Sequence, residues 1–178
     1  MKRVLRYLCR FLFREYPIHL LMLFTAFLPQ TGWATRIRGM LIAPFIGKCG
    51  RGLKIASGVV IGNPAKLTLG DNVYLAHYVW INATGGLEIG SDSIVGPFCV
   101  IATSRHKFQN GMVTHNGAYR PVRIGRGVWL ASHVVVTDGV TIGDGVLAAA
   151  GTVITHDVPQ GTIIAGIPGT VKGTPKND

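Results

Sequence analysis

Aliphatic residues recur at every sixth position through the C-terminal half of the chain. Each is followed by a small residue, and a second aliphatic or small residue stands four positions further on. A period of six matches neither the 3.6-residue period of a helix nor the two-residue period of a long strand. A hexad is too short to bury a face alone, so the pattern predicts short strands stacked in a solenoid. The six-step positions are Ile124, Leu130, Val136, Ile142, Ala148 and Ile154, and their partners are Val128, Val134, Val140, Val146, Thr152 and Val158.

The same spacing continues upstream, with two extra residues at matching places. The extra residues fall within the segments 61–72 and 81–92, which lie 20 residues apart. We therefore expect three hexads to close one triangular coil, with a bulge at one corner of the earlier coils. Gly, Asn and Asp at the corners supply turn conformations. The fold class predicted is all-β: a parallel β-helix of hexapeptide repeats, preceded by a helical segment.

The hexad stops once, between Ile101 and Ile124. The intervening residues are polar, contain two histidines, and are predicted to leave the coil as an irregular excursion loop at about 103–121. A long insertion in a compact repeat domain is usually functional or disordered. We therefore expect chemistry at this loop.

The stretch "GVWLASHVVVTDGVTIGDGVLAAAGTVITHDVPQGTIIAGIPGTV", residues 127–171, resembles the hexapeptide-repeat acyltransferases. The resemblance covers roughly residues 55–172 and is greatest to sugar O-acetyltransferases of the galactoside, maltose and colanic-acid type. It implies a left-handed β-helix, acetyl-CoA as co-substrate, and a homotrimer with active sites between neighbouring β-helices. The acceptor implied is a hydroxyl of a sugar or glycan precursor, as in polysaccharide biosynthesis.

The resemblance implies that His106, at the base of the excursion, is the catalytic general base. A histidine suits this role because its side chain titrates near neutral pH. It would deprotonate the acceptor hydroxyl as that oxygen attacks the thioester directly. His115, deeper in the loop, is the competing candidate. Asn82, one coil earlier, matches a position that helps to bind the acceptor sugar, although a corner Asn is also common in turns.

The resemblance places acetyl-CoA along small corner residues of the C-terminal coils. Two positions depart from the family, because His156 stands where a Lys is frequent and Thr170 where an Arg is frequent. Both basic residues would meet CoA phosphates, and Lys172, Arg123 or Arg126 could compensate. The candidate cofactor-binding residues are Trp129, Ala131, Ser132, Ala150, Thr155, His156 and Lys172.

A metal site is a weaker alternative. Related hexapeptide proteins include zinc carbonic anhydrases, and five histidines follow residue 76. The expected pair of histidines five residues apart is absent from the sequence, so we expect no metal. Three cysteines without a CxxC motif favour reduced thiols in a cytosolic protein.

The N-terminal segment carries almost all of the net charge of +10. Residues 1–54 hold ten Lys and Arg against one acid, so the basic character is local and a nucleic-acid partner is not expected. Arg3, Arg6, Arg10 and Arg14 fall on one helical face, which suggests either a cap on the β-helix or a helix on an anionic membrane. The apolar run 18–28 is too short to span a bilayer, and we expect it to pack on the trimer.

These expectations divide the chain into a basic and apolar helical segment (1–50), a β-helix domain (51–172) and a short tail (173–178). They predict a cytoplasmic enzyme, with peripheral contact to the inner face of the membrane through residues 1–28. Two alternatives remain open: a xenobiotic acetyltransferase of the streptogramin or chloramphenicol type, and a non-catalytic β-helix scaffold at the membrane.

Overall fold

The computed structural model describes Leu8 and residues 11–175. After a π-helical turn at Phe11–Glu15, two helices follow, α1 (Tyr16–Phe24) and α2 (Gly32–Ile42). Short 3-10 turns lie at Ala43–Phe45 and Pro64–Lys66. The strands are β1 (Lys48–Cys49), β2 (Lys54–Ile55), β3 (Val60–Gly62), β4 (Leu67–Leu69), β5 (Tyr74–Leu75), β6 (Trp80–Asn82), β7 (Leu87–Ile89), β8 (Ile94–Val95), β9 (Val100–Ala102), β10 (Ser104–Gln109), β11 (Met112–Tyr119), β12 (Val122–Ile124), β13 (Trp129–Leu130), β14 (Val135–Val136), β15 (Thr141–Ile142), β16 (Leu147–Ala148), β17 (Val153–Ile154), β18 (Ile163–Ala165) and β19 (Thr170–Gly173).

Three sheets form the sides of a left-handed β-helix of about six coils. Sheet A has the order β1-β4-β7-β12-β15, sheet B β19-β18-β16-β13-β8-β5-β2, and sheet C β17-β14-β9-β6-β3. The chain visits A, B and C in turn, so every strand pairs in parallel with strands of the coils above and below. The exception in sheet B is β19, which runs antiparallel to β18. The predicted fold class is thus confirmed.

The strand register shows how many residues each coil uses. Lys54 pairs with Tyr74, and Tyr74 pairs with Ile94, so the early coils take 20 residues. Trp129 pairs with Leu147, so the later coil takes 18. Ile94 pairs with Trp129, 35 residues on, because the excursion is inserted between these two coils. The two-residue excess of the early coils is therefore a real corner feature, as the sequence pattern predicted.

The residues that set the six-step repeat fill the core of the rod. All six repeat positions from Ile124 to Ile154, and their partners four residues on, are buried. Thr152, the polar member of this set, donates its hydroxyl hydrogen to Ala149 O at 2.7 Å, so its burial leaves no unpaired group. Fully burying one aliphatic side chain contributes about 1.5–3 kcal/mol, so the repeat itself is the main source of stability.

The excursion is an ordered β-hairpin rather than the irregular loop that we expected. β10 and β11 pair antiparallel, with a register shift between His106 and Phe108. The connecting residues Asn110 and Gly111 have φ of 51° and 75°. Positive φ at both central residues is typical of the two-residue turns that match the twist of a hairpin. The Asn-Gly pair was the sequence signal for this hairpin.

The helices pack against the N-terminal end of the rod. Gly39 of α2 lies so close to the backbone of Leu53 that a Cβ there would be 1.9 Å from the Leu53 carbonyl oxygen. Ile18 of α1 is buried in the core of its own chain, whereas we had expected residues 18–28 to pack on a trimer. Leu23 and Phe24 of the same helix are exposed. In the described part of the chain, no helix is long and apolar enough to span a membrane.

A buried arginine joins the two helices. The Arg38 side chain donates from Nη2 to Thr25 O at 2.9 Å and to Leu28 O at 3.0 Å, near the C-terminal end of α1. A cation at this end is favourable because the last carbonyls of a helix carry partial negative charge. Burial lowers the pKa of Arg38 from its ordinary value. Arg3, Arg6 and Arg10 of the predicted basic face lie outside the described residues.

Candidate active site

The hairpin is anchored at its base by Thr103. This buried residue donates from its hydroxyl to Asn82 O at 2.7 Å and accepts from the Gly85 amide at 2.7 Å. Its carbonyl accepts from the Arg120 amide at 3.1 Å, which ties the two legs of the hairpin together. A Cβ on Gly85 would lie 2.4 Å from Thr103 O and 2.8 Å from Arg120 O. Glycine is therefore required where the hairpin legs cross the preceding coil.

Successive residues of β10 contact the coils on either side of the hairpin. Ser104 Oγ accepts a hydrogen bond from Asn82 Nδ2 at 3.0 Å, on the coil before the excursion. The Arg105 Nε atom lies 3.7 Å from Asp138 Oδ2, on the coil after it. The alternation follows from the two-residue period of a strand. His106, two residues after Ser104, therefore projects from the hairpin face that bears Ser104.

His106 is exposed, and one of its ring nitrogens has a fixed partner. His106 Nδ1 lies 3.1 Å from Thr114 O. A carbonyl oxygen can only accept, so this contact places the proton on Nδ1 and leaves the Nε2 lone pair free. Directly across the hairpin stands Gly117, which has no side chain to crowd the imidazole. The geometry therefore gives His106 a free basic nitrogen.

Tyr119 joins His106 on the same face of the hairpin, and the sequence did not indicate it. A Cβ built on Gly117 would be 2.6 Å from the Tyr119 hydroxyl oxygen. Since directly paired residues project to the same face, that hydroxyl lies on the face of His106. Tyr119 also pairs with Ser104 in register. Only the hairpin register reveals this neighbourhood.

Asn82 lies at the edge of a cavity of about 340 Å³ that the N-terminal segment helps to close. Its Oδ1 accepts from the Thr84 amide at 2.9 Å, which orients the side chain. His19 and Trp80 line the same cavity. His19 Nδ1 is 2.8 Å from Glu15 O, so its Nε2 is likewise free. The structure thus brings a second histidine near Asn82, which we had missed because it stands in the apolar run.

The competing candidate, His115, is exposed on β11 within the stretch where the hairpin register shifts. The two legs are unequal there, with Lys107 left between the pairs at His106 and Phe108. Its place is less fixed by pairing than that of His106.

The candidate acetyl-CoA residues fall at two different corners of the chain. Ser132 and Ala150 stack on consecutive coils between sheets B and C, where Gly151 N donates to Ser132 O at 2.9 Å. A Cβ on Gly151 would meet nothing within 4 Å, so this corner is open. Thr155 and His156 lie between sheets C and A, where Thr155 Oγ1 is 2.8 Å from His156 Nδ1. The hairpin also leaves the rod at the corner between C and A.

The remaining cofactor candidates lie on sheet B or beside it. Trp129 is half exposed on β13, and Ala131 donates its amide to Ala148 O at 2.9 Å. Lys172 is exposed on β19, the antiparallel strand that closes this sheet. Sheet B therefore presents an aromatic ring and a cation on its outer side.

An aromatic column that the sequence did not indicate stands at the open corner. The rings of Tyr78, Phe98 and His133 stack on consecutive coils with centroids 5.1 and 5.0 Å apart. All three residues have φ near 60°. His133 directly follows Ser132, so the column leads into the candidate acetyl-CoA corner.

The cysteines and histidines form no metal-binding group among the described residues. Cys99 is fully buried and donates from Sγ to Ala131 O at 3.0 Å. Burial raises the pKa of the Cys99 thiol to about 11, so it is neutral at physiological pH. Cys99 is a packing residue of the rod.

Comparisons with known proteins place these features among sugar acetyltransferases. The chain matches no protein-family model. It is 34% identical over 106 residues to Escherichia coli WcaF, named for colanic acid biosynthesis acetyltransferase activity, covering 60% of this chain and 57% of WcaF. It is 28% identical over 132 residues to the galactoside O-acetyltransferase of Escherichia coli, covering 74% and 65%. The chain thus spans less than two thirds of the length of these curated relatives.

Solved structures show the same architecture. A maltose O-acetyltransferase from Clostridium difficile has a TM-score of 0.80 at 25% identity, covering 95% of this chain and 89% of that one. A hexapeptide-repeat acetyltransferase from Vibrio cholerae, solved with acetyl coenzyme A, has a TM-score of 0.77 at 22% identity, covering 92% and 87%. Sequence and fold together confirm that the chain resembles the hexapeptide-repeat acetyltransferases of the sugar O-acetyltransferase type.

Proposed function

We propose that the protein transfers an acetyl group from acetyl-CoA to a hydroxyl of a sugar or glycan precursor, with His106 as general base. The single observation that carries the proposal is the orientation of His106, whose Nδ1 faces Thr114 O and whose Nε2 is free. The names of the similar proteins support the sugar acceptor and the acetyl donor.

In the proposed reaction, His106 Nε2 accepts the proton of the acceptor hydroxyl. The hydroxyl oxygen forms a bond to the acetyl carbonyl carbon, the carbon–sulfur bond breaks, and the proton passes from the imidazolium to the departing thiolate. Acetyl-CoA supplies the acetyl group as an activated thioester. Asn82, fixed by Thr84, is proposed to orient the acceptor on the same side of the hairpin. Such general-base catalysis contributes typically about 10²–10⁴-fold.

The acetyl-CoA arm is proposed to lie along the open corner of Ser132 and Ala150. Small residues stacked on consecutive coils leave room there for an extended chain, and the absence of any neighbour around a Gly151 Cβ supports this fit. Lys172, Arg123 and Arg126 are the candidate partners of the phosphates, in place of the residues replaced by His156 and Thr170.

We also propose a homotrimer, because the candidate residues are divided between two corners. His106 projects at the corner between sheets C and A, whereas Ser132 and Ala150 lie between sheets B and C. In a closed ring of copies, the first corner of one subunit can face the second corner of its neighbour. Mass measurement in solution tests this arrangement: a monomer that releases thiol at full rate would contradict it.

Thiol release from acetyl-CoA tests the function. The full chain is incubated with acetyl-CoA and a panel of sugars, sugar nucleotides, streptogramin and chloramphenicol, and products are identified by mass spectrometry. An O-acetylated sugar supports the proposal, and exclusive acetylation of an antibiotic favours the xenobiotic alternative. A protein that binds neither acetyl-CoA nor any acceptor would be the scaffold.

Peripheral membrane contact through residues 1–28 is the remaining part of the proposal. Vesicle co-sedimentation of the full chain and of a form lacking residues 1–16 tests the leader. Equal pelleting of both forms with anionic vesicles would refute a role for the leader in this contact.

A further inference from the structure

The region where α2 meets the first coil combines positive charge with a sizeable cavity. The cavity encloses about 630 Å³, and three cationic side chains line it, those of Arg36, Arg51 and Lys54. The described residues that line it include no acid. The nearest recorded carboxylate is Asp71, whose Oδ2 is 4.0 Å from Arg51 Nη2, and Arg51 remains 95% exposed. The cavity is therefore suited to an anionic group.

Apolar side chains continue outward from this cavity along α2. Trp33, Arg36 and Met40 are spaced three and four residues apart, so they share one face of the helix. Trp33 is 52% exposed and Met40 67% exposed. The opposite face is fixed in the core, because Ala34, Gly39 and Ile42 are buried. The outer face of α2 is thus an exposed apolar stripe interrupted by one cation.

The preceding segment adds to the apolar surface. Leu23, Phe24 and Phe27 are all more than 60% exposed. Large apolar side chains grouped in this way on a small protein indicate a contact with a partner or a membrane.

The charge of the segment argues for an anionic membrane rather than another copy of the chain. Residues 1–54 carry ten cationic side chains and one acidic one. Two such surfaces brought face to face would repel each other, whereas anionic lipid headgroups attract them. Aromatic and aliphatic residues beside cations are the usual composition of an interfacial helix.

We propose that the outer face of α2 and the cavity beside it form an interfacial docking site for anionic phospholipid. The lipid phosphate is held among Arg36, Arg51 and Lys54, and the side chains of Trp33 and Met40 enter the interface. This site differs from the leader contact and lies on the first coil, two coils before the hairpin. It does not depend on the proposed acetyl transfer.

The test is flotation of the full-length protein with vesicles of phosphatidylcholine, alone or with 30% phosphatidylglycerol, a composition chosen for the assay. The site variant carries Arg36→Gln, Arg51→Gln and Lys54→Gln. A matched variant carries Arg123→Gln, Arg126→Gln and Lys172→Gln, three exposed cations outside the site, so both lose the same charge. We expect the site variant to lose about 100-fold in partitioning onto anionic vesicles, since each interfacial cation contributes roughly 1 kcal/mol. The matched variant should lose less than about threefold.

Further measurements separate the other occupants. The double variant Trp33→Ser, Met40→Ser should lose about tenfold in partitioning, because apolar insertion adds to the electrostatic attraction. Equal losses in both triple variants, or no flotation of the wild type, would overturn the proposal. So would a change in the oligomeric mass of the site variant, which would assign the surface to a second copy. Saturable binding of inorganic phosphate without vesicle binding would assign the cavity to a soluble anion. Thiol release should be unchanged in the site variant, so failure of docking is distinguishable from failure of the proposed reaction.

Discussion

The rod and the hairpin are stabilised in different ways. In the rod, each coil repeats the same small set of buried aliphatic positions, and no single residue is unique. In the hairpin, a few specific contacts at the base fix the position of His106: the hydroxyl of Thr103, the close approach at Gly85 and the pair of Arg105 with Asp138. The difference teaches that a repetitive fold supplies rigidity through many equivalent contacts, whereas its candidate chemistry rests on a few irregular ones. Substitutions in the two regions should therefore have opposite effects on stability and turnover.

The largest expected effect is on turnover, from His106→Ala. Loss of the free Nε2 should lower kcat about 10²–10⁴-fold with little change in the unfolding temperature, because His106 is exposed. Thiol-release kinetics and thermal unfolding measure the two quantities. His115→Ala and His19→Ala are the matched controls. Near-normal turnover of His106→Ala, with loss in either control, would transfer the role of base to that residue.

In the rod, Leu130→Ala should lower the free energy of unfolding by about 2–5 kcal/mol, because it removes a fully buried side chain and leaves a cavity. Turnover of the molecules that remain folded should change little. Ile94, which is exposed on the same sheet, provides the control Ile94→Ala, whose cost should be much smaller. Chemical denaturation checks both, and equal costs for the two variants would contradict the expected location of the core.

At the hairpin base, Gly85→Ala should cost about 1–3 kcal/mol, because its Cβ would meet two backbone carbonyl oxygens that cannot move independently. Since these belong to the hairpin legs, turnover should fall more than stability does. Gly62→Ala is the control on the neighbouring coil, where the Cβ would lie 3.5 Å from Ile81 O, an ordinary contact. A Gly85→Ala protein with unchanged kcat would show that the hairpin legs are free to adjust.

A smaller effect is expected from Asp138→Asn. Asp138 has only 8% of its side chain exposed, but Arg105 is 53% exposed, so the pair contributes no more than a typical surface ion pair of about 0.2–1 kcal/mol. We expect kcat to fall about two- to fivefold, with the KM for acetyl-CoA unchanged, as the hairpin loses one anchor. Glu88→Gln, which removes the exposed pair with Arg123, should leave kcat unchanged. A shared loss in both variants would indicate a general charge effect.

The smallest effect concerns the thiols. Burial raises the pKa of Cys99 to about 11, so at pH 7.5 its thiol is protonated as well as inaccessible. Iodoacetamide should modify half-buried Cys49 about tenfold faster than Cys99 in the native protein, as followed by peptide mass spectrometry. Unfolding in denaturant should equalise the two rates. Rapid native labelling of Cys99 would mean that the rod opens locally.

The sequence by itself determined the rod. The six-residue spacing named the buried positions, and the shared two-residue excess identified the 20-residue coils, because each hexad repeats one physical requirement. It also located the excursion and His106 at its base. The antiparallel strand after β18 escaped this reasoning, because the hexad carries no information once it ends.

Only the tertiary structure decided how the candidate site is assembled. The alternation along β10 directs Ser104 to Asn82 and Arg105 to Asp138, and the register places Gly117 opposite His106. It also brought His19 and Tyr119 toward the same face and divided the candidate acetyl-CoA residues between two corners. None of these relations follows from spacing, because they join residues from different coils and from outside the repeat. A repeat specifies which residues are buried, whereas neighbourhood at the surface depends on register and on where the chain departs from the coil.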